Sequence, residues 1–438
     1  MATETENILL FGAGPAAMQL AVCLKQSNHI ILGITNRASE NWLRWQRAYA
    51  ERGQIQCDVA KPALSALAGQ ARLDRIEPNP ASVCPIWHTL ILAVPSDAYL
   101  AALQQLPETV LRQLKRILLL SPAFGSQQIL CNWRQSKGLS LHVLGCSTYF
   151  AATKCQHSET GHLIPTQVLT KARKRKIYLS SSLHDDPALA IWQTRLENIG
   201  VSAEPLSDGF SVEARNITSY VHPALFINDF SLNAILQAPK IPVFLYKLFP
   251  EGPITPEIIR RYVALWRDIS AIVSYFGGKP INLLQFLNDD NYPVRPETIA
   301  RQKIEQFCTL SPTEQEYLIY VRYSAILIDP FSVPDQHGRY FEFSAVPYPK
   351  AQLKQGQWHL PRIPGEDIQA LYRLNEIAQR TGIDVPAIRE LIGLFEHWLS
   401  NNDAVSIRPE QYIQAAIQEI DGLFSSQFFT APELTHDA

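Results

Sequence analysis

Near its amino terminus the chain reads NILLFGAGPAAMQLAVCLKQ, and this stretch restricts the possible folds more than any other. Ile8 to Phe11 form an uninterrupted apolar run of strand length, and the spacing that follows predicts a helix over residues 16–25. Between them Gly12, Gly14 and Ala17 make a GxGxxA pattern. The first glycine permits a tight turn, and the second lets a pyrophosphate approach the backbone. The small Ala17 lets the helix pack on the strand. Pro15 suits a first helical turn because it has no N–H to leave unpaired. With Ala16 it opens a helix whose first N–H groups suit phosphate oxygens. The pattern predicts a dinucleotide site at Gly12, Gly14, Pro15 and Ala16. The competing reading is an α/β domain whose glycines only make a turn.

More apolar runs follow in HIILGITNR, HTLILAVPSDAYLAAL, KRILLLSPAFGS and LSLHVLGCSTYF. Each ends in small or polar residues, as parallel strands do beneath a binding crevice. The expected fold class is therefore α/β, with a Rossmann-like parallel sheet over residues 1–180. The end of the second run bears on the cofactor. An acid there would accept from the ribose hydroxyls of NAD, but Asn36 and Arg37 occupy the place. Arg37 and Arg44, with Arg47 three residues on, suit a 2'-phosphate and favour NADPH; a solvated basic helix face is the alternative. Pro95 and Ser96 follow another strand and would border the nicotinamide. In CSTYFAATK, the residues Ser147, Tyr149 and Lys154 either touch substrate or belong to the scaffold.

Composition excludes some partners. A formal charge of -2 gives no global attraction to nucleic acid or to an anionic membrane. The basic run KARKRKIYL has no aromatic interleaving and reads as a solvated edge or loop. No apolar run reaches 18 residues, and the seven cysteines contain no CxxC pair, so a cytoplasmic chain with reduced thiols is expected. The eleven histidines are scattered and HExxH is absent, so spacing proposes no metal site.

Beyond residue 180 the strand rhythm stops. DPALAIWQTRLENIG, TPEIIRRYVALWRDISAIVSYFG and SPTEQEYLIYVRYSAILIDPF carry helical spacing, and three more helices are expected between Glu366 and Ser425. Residues 181–438 thus read as a mainly helical substrate-binding domain with a hairpin insertion at 335–363. A nucleotide-binding sheet followed by such a domain suggests a dehydrogenase with substrate in the interdomain cleft. Such an enzyme needs a group that carries a proton near neutral pH. VEARNITSYVHPALFIN offers His222, ahead of Pro223 and after a polar-aromatic segment. Residue by residue, His222 reads either as that proton carrier or as a hydrogen-bonded packing histidine. Arg215 in the same block either receives a substrate carboxylate or pairs with Glu213 or another acid.

In order, FGAGPAAMQLA, TNRAS, VPSDAY, LLLSPAFGS, STYFAATK and EARNITSYVHP resemble the opine metallophore dehydrogenases of the staphylopine, pseudopaline and yersinopine type. The resemblance implies an NADPH-dependent, commonly homodimeric enzyme. Such an enzyme joins an aminobutanoyl-histidine amine to a 2-oxo acid, pyruvate or 2-oxoglutarate, and reduces the imine. It also implies a 2'-phosphate contact at Arg37, with Arg44 standing in for a second basic contact because residue 43 is leucine. His222 falls in the HP block of the family's catalytic histidine, while an acid near the active site is carried over to neither Asp97 nor Asp229 with any firm match. Two rivals share the first domain: an NADP-dependent 2-hydroxy-acid or amino-acid dehydrogenase, and a non-enzymatic NADP-sensing module.

Overall fold

The computed structural model describes residues 5–237, 239–328, 333–340, 342 and 344–425. The chain divides into two compact units, one running to Arg215 and resuming at Gly422, the other Asn216–Asp421.

In the first unit the strands in chain order are β1 Glu6–Phe11, β2 Ile30–Thr35, β3 Ile55–Val59, β4 Gly69–Ala71, β5 Arg75–Ile76 and β6 Thr89–Leu92. There follow β7 Arg116–Leu119, β8 His142–Cys146, β9 Ala151–His157, β10 Leu163–Arg173, β11 Lys176–Ser181 and β12 Ser202–Pro205. Eight of them form one sheet in the order β12-β11-β8-β7-β6-β1-β2-β5. From β8 to β5 the neighbours are parallel, whereas β11 runs antiparallel to β8. Because β1 pairs with β2 on one side and β6 on the other, the chain changes direction across the sheet at β1. Ligands bind α/β sheets at the carboxyl ends of strands at such a switch point. Ile8, Leu9 and Leu10 are fully buried, as a strand covered on both faces requires.

A second sheet, β4-β3-β10-β9, was not legible in the sequence. It packs on α1 (Pro15–Leu24) and α2 (Glu40–Arg52), and Cys57 and Val168 join the core beneath. β9 alternates half-buried with exposed residues, and of the three residues that β10 buries, Thr166, Val168 and Thr170, two are polar, so their apolar signal is weak. Most of the basic run 171–176 lies on β10 and β11: Arg173 donates to the Ile199 carbonyl at 2.9 Å, and Lys176 pairs with Glu204 at 2.5 Å. The break expected at 180/181 falls instead at Arg215/Asn216, because β11 and β12 extend the main sheet and the helix Pro187–Asn198 connects them.

The second unit is mainly helical. Its long helix Pro256–Tyr275 starts where Thr255 caps it by accepting from Ile258 N at 3.3 Å, with Pro256 in the first turn. It packs against helices Thr218–Phe226, Pro312–Ala325, Arg362–Thr381 and Pro386–Ser400, which explains its wide apolar stripe. Inside that stripe sits Asp268, whose carboxylate accepts from Ile388 N at 3.0 Å and so caps a helix that has no side-chain cap of its own. The expected insertion contains the hairpin β13 Gln352–Lys354 and β14 Gln357–His359; residues 341 and 343 of that span lie outside the described residues. Its turn places Gln355 and Gly356 at φ 50° and 79°, the twist that suits a two-residue hairpin. The last helix, Pro409–Phe424, returns the chain to the first unit, where Asn132 Nδ2 donates to the carbonyls of Gly422 and Leu423 at 2.9 and 3.0 Å. Among the described residues no helix is long and apolar enough to cross a membrane.

Candidate active site

In the first unit the functional geometry is made by backbone. Gly12 has φ +119°, and a Cβ there would lie 2.5 Å from the Ala93 carbonyl oxygen, so only glycine lets the ends of β1 and β6 touch. Gly12 N donates to Thr35 O at 2.8 Å, and Ala93 N to Phe11 O at 2.9 Å, which fixes the three strand ends together. Around Gly14 the situation reverses: a Cβ would meet nothing within 4 Å. Gly14 is also the N-cap of α1, a terminus with no side-chain cap and no acid in its first turn. An open approach to bare N–H groups fits the pyrophosphate of a dinucleotide.

At the end of β2, Arg37 is exposed, and its backbone N–H is taken by Asn36 Oδ1 at 3.0 Å. Ser39 caps α2 by accepting from Trp42 N at 3.1 Å. The helix buries Trp42, Trp45 and Tyr49 as a stacked series with centroids 5.1 and 5.3 Å apart, which turns Arg44 and Arg47 outward. Arg37 and Arg44 therefore flank the start of α2 with no ion-pair partner among the described residues. Pro95 is exposed and Ser96 half-buried in a short turn after β6, beyond the Gly12 contact.

Three of the expected substrate contacts, Ser147, Tyr149 and Arg215, are bonded into the scaffold, and the fourth, Lys154, is exposed. Ser147 is fully buried; its N–H donates to Tyr178 O at 2.8 Å and its hydroxyl accepts from Tyr178 N at 3.0 Å, which ties it to β11. Tyr149 packs against the core, with its hydroxyl donating to Ala16 O at 3.1 Å and bonded to Gln19. Lys154 is exposed on β9, opposite Leu169 of the second sheet. Arg215 donates to Ser211 O at 2.6 Å and lies over the Tyr178 ring at 5.0 Å. Glu213, named as a possible partner for Arg215, accepts from Gly125 N and Gln127 N at 2.6 and 2.7 Å, at the start of helix Ser126–Ser136.

His222 lies on the helix Thr218–Phe226, and Pro223 inside that helix cannot donate to the carbonyl one turn back. One side of the imidazole meets the Phe226 ring edge-on at 5.4 Å, and Phe226 in turn meets Tyr348 at 6.1 Å. Tyr348 is anchored by Ser231, hydroxyl to hydroxyl, at 3.0 Å. On the other side Nδ1 is 3.3 Å from Oδ1 of Asp367, a residue of helix Arg362–Thr381. Both side chains are largely buried, and the second carboxylate oxygen, Oδ2, has no hydrogen-bond partner. The His222 ring thus packs against Phe226 and faces the carboxyl group of Asp367. Asp367 was missed in the sequence, where Asp97 and Asp229 were the acids weighed; both of those are exposed.

Beside His222 is a cavity of about 160 Å³, lined among others by Thr218, Tyr246, Asn291, Tyr292 and Arg322. Asn291 ends a π-helical turn, Phe286–Asn291, a wide turn that recurs at functional sites. Arg322 projects from helix Pro312–Ala325 and is 2% exposed. Its Nη2 donates to the carbonyls of Leu287 and Tyr292 at 2.8 and 3.0 Å. Burial pushes the pKa of Arg322 down and that of the Tyr246 phenol up, since a dry site penalises either charge.

A family model described as staphylopine dehydrogenase matches residues 6–422. The chain belongs to the staphylopine dehydrogenase family. Within that family, the staphylopine synthase of Staphylococcus aureus is 38% identical over 394 residues, covering 89% of this chain and 90% of that one. The pseudopaline synthase of Pseudomonas aeruginosa is 39% identical over 395 residues, 90% of each. A structure of yersinopine dehydrogenase with NADP+ bound matches with a TM-score of 0.83 at 31% identity, covering 96% of this chain and 99% of that one. This member of the staphylopine dehydrogenase family is thus an oxidoreductase acting on CH–NH bonds. It condenses an amine with a 2-oxo acid and reduces the product with a nicotinamide cofactor.

Proposed function

We propose that the chain joins the primary amine of an aminobutanoyl-L-histidine intermediate to a 2-oxo acid, with pyruvate favoured over 2-oxoglutarate, and reduces the imine with NADPH to an opine metallophore. The observation that carries this reading is the buried His222–Asp367 pair beside a cavity that Arg322 also lines. The printed names of the relatives, synthases of staphylopine and pseudopaline, support the substrate class.

In this reading Gly12, Gly14, Pro15 and Ala16 hold the pyrophosphate, Arg37 and Arg44 the 2'-phosphate, and Pro95 and Ser96 border the nicotinamide. The NADP+ bound to yersinopine dehydrogenase supports the choice of cofactor. His222 acts twice. With Nδ1 held toward Asp367, its other ring nitrogen takes a proton from the substrate ammonium, and the freed amine attacks the ketone carbon. The same nitrogen then returns the proton to the carbinolamine hydroxyl, which leaves as water. When bound, NADPH supplies the hydride that reduces the resulting iminium carbon to a secondary amine. Asp367 stabilises the imidazolium between the two proton transfers. The reading includes a homodimer, and light scattering tests it by mass.

The deciding assay gives purified protein NADPH, aminobutanoyl-histidine and either keto acid, and follows NADPH absorbance and product mass. Oxidation that requires both organic substrates is expected, and it should fall at least a hundredfold in His222→Gln. Oxidation with the keto acid alone would instead identify a hydroxy-acid dehydrogenase.

A further inference from the structure

Arg322 carries a full charge in a place that works against it. It is 2% exposed, and no carboxylate of the described residues lies within ion-pair distance. Two neutral carbonyls, of Leu287 and Tyr292, occupy Nη2, and Nε is buried with no partner at all. Capping a wide helical turn explains Nη2 and leaves the other donors unexplained. A guanidinium has five N–H donors in a planar fork, and a buried fork with donors to spare is poised for an anion. Arg322 also lines the cavity that His222 lines, where Thr218, Tyr246, Asn291 and Tyr292 add polarity but no cationic side chain.

We infer that Arg322 receives the carboxylate of the 2-oxo acid and thereby sets the reacting carbonyl against His222. In a 2-oxo acid the carboxylate is bonded directly to the ketone carbon. A fixed fork and a proton carrier lining one cavity therefore match the two neighbouring groups of one small molecule. Part of the ionic contact is then formed in the substrate complex and offsets the burial of the charge. The inference rests on His222 being the proton carrier.

The test uses the full chain with saturating NADPH and aminobutanoyl-histidine, and compares pyruvate with its uncharged analogue pyruvamide. Wild-type protein should prefer pyruvate by at least about tenfold in kcat/KM. In Arg322→Gln the pyruvate KM should rise about 10- to 100-fold and the preference should fall toward one. The KM values for the amine and for NADPH should stay within about twofold of wild type. Arg322→Lys keeps the charge without the fork and should fall between the two. If melting curves show that the glutamine variant does not fold, the lysine variant carries the test, since its pyruvate KM must rise while the amine KM does not. An unchanged pyruvate preference, a rise confined to the amine KM, or a wild-type preference near one overturns the inference. Failure of the underlying reading looks different: wild-type protein then leaves NADPH unoxidised with both organic substrates present, and the inference falls with it.

Discussion

Replacing Asp367 with asparagine keeps the shape of the side chain and removes its charge. Oδ1 is 3.3 Å from Nδ1 of His222, with the two side chains 11% and 15% exposed. At that separation an effective dielectric of about 20 gives an attraction of about 5 kcal/mol between the carboxylate and a protonated ring. Only the charge already on the ring at the limiting proton transfer feels it. With roughly half a unit of charge there, the loss is about 2.5 kcal/mol, or nearly two orders of magnitude in turnover. The amide can also present an N–H toward the ring, so the imidazole loses the acceptor that orients it. The assay is single-turnover reduction with enzyme in excess, which keeps product release from masking the chemical step. The expected rate is about 30- to 100-fold below wild type, with the KM for NADPH unchanged. Melting temperature should move by only a few degrees, because Oδ2 is buried without a hydrogen-bond partner and the carboxylate contributes little to the fold. A single-turnover rate within about threefold of wild type would refute the positioning role. So would a loss of activity matched by a comparable loss of stability, the mark of a purely structural residue.

The two glycines of the first turn should separate folding from binding. Gly12→Ala puts a Cβ 2.5 Å from the Ala93 carbonyl at φ +119° and should cost about 2–4 kcal/mol in a urea melt. Gly14→Val projects into open space, so it should melt like wild type yet bind NADPH at least about tenfold more weakly by calorimetry. Normal NADPH affinity in that variant would remove the pyrophosphate assignment. Arg37→Gln should lower the NADPH-over-NADH preference about 10- to 100-fold, and an unchanged ratio of kcat/KM values would sink the 2'-phosphate contact. Burial raises the pKa of Asp268 from 3.8 to about 6, so its contribution to stability is fully present below about pH 4 and is lost as pH rises through about 6. By about pH 8 the ionised carboxylate has cost up to about 3 kcal/mol. Asp268→Asn retains an acceptor for Ile388 N and should therefore gain on wild type between about pH 4 and pH 7 in urea melts; a difference flat with pH contradicts the linkage.

Local pattern made the strand, turn and helix of the proposed cofactor site legible. Gly12, Gly14 and Pro15 lie within four residues, and their conformations follow from backbone geometry that each residue type imposes on itself. The long helices were legible for the same reason: Thr255 with Pro256, and Ser311 with Glu314 in a capping box, write their starts into a few adjacent residues. The second sheet escaped because its strands are short, as β4 is, or alternate between half-buried and exposed residues, as β9 does. That omission had a consequence for function. Tyr149 and Lys154 stayed open between substrate and scaffold for that reason; Tyr149 is bonded to α1, and Lys154 is exposed on β9 opposite Leu169.

The chemistry of the second unit was only half written in the sequence. His222 drew notice through Pro223, a neighbour in the chain, but its significance comes from residues far downstream. Asp367 lies in the expected tail of helices, on a helix whose apolar spacing reveals a buried face without revealing what that face meets. Arg322 sits in YLIYVRYSAI, where its basic side chain reads as a surface residue between tyrosines. Burial changes the meaning of both. A carboxylate with one unpaired oxygen and a guanidinium with an unpaired donor are each costly in a core, and under the proposed reaction a ring that gains a proton and a substrate that brings a charge would offset that cost. Near such a cavity, the polar groups to test first are those the fold leaves incompletely satisfied, because completing them is work a bound substrate can do.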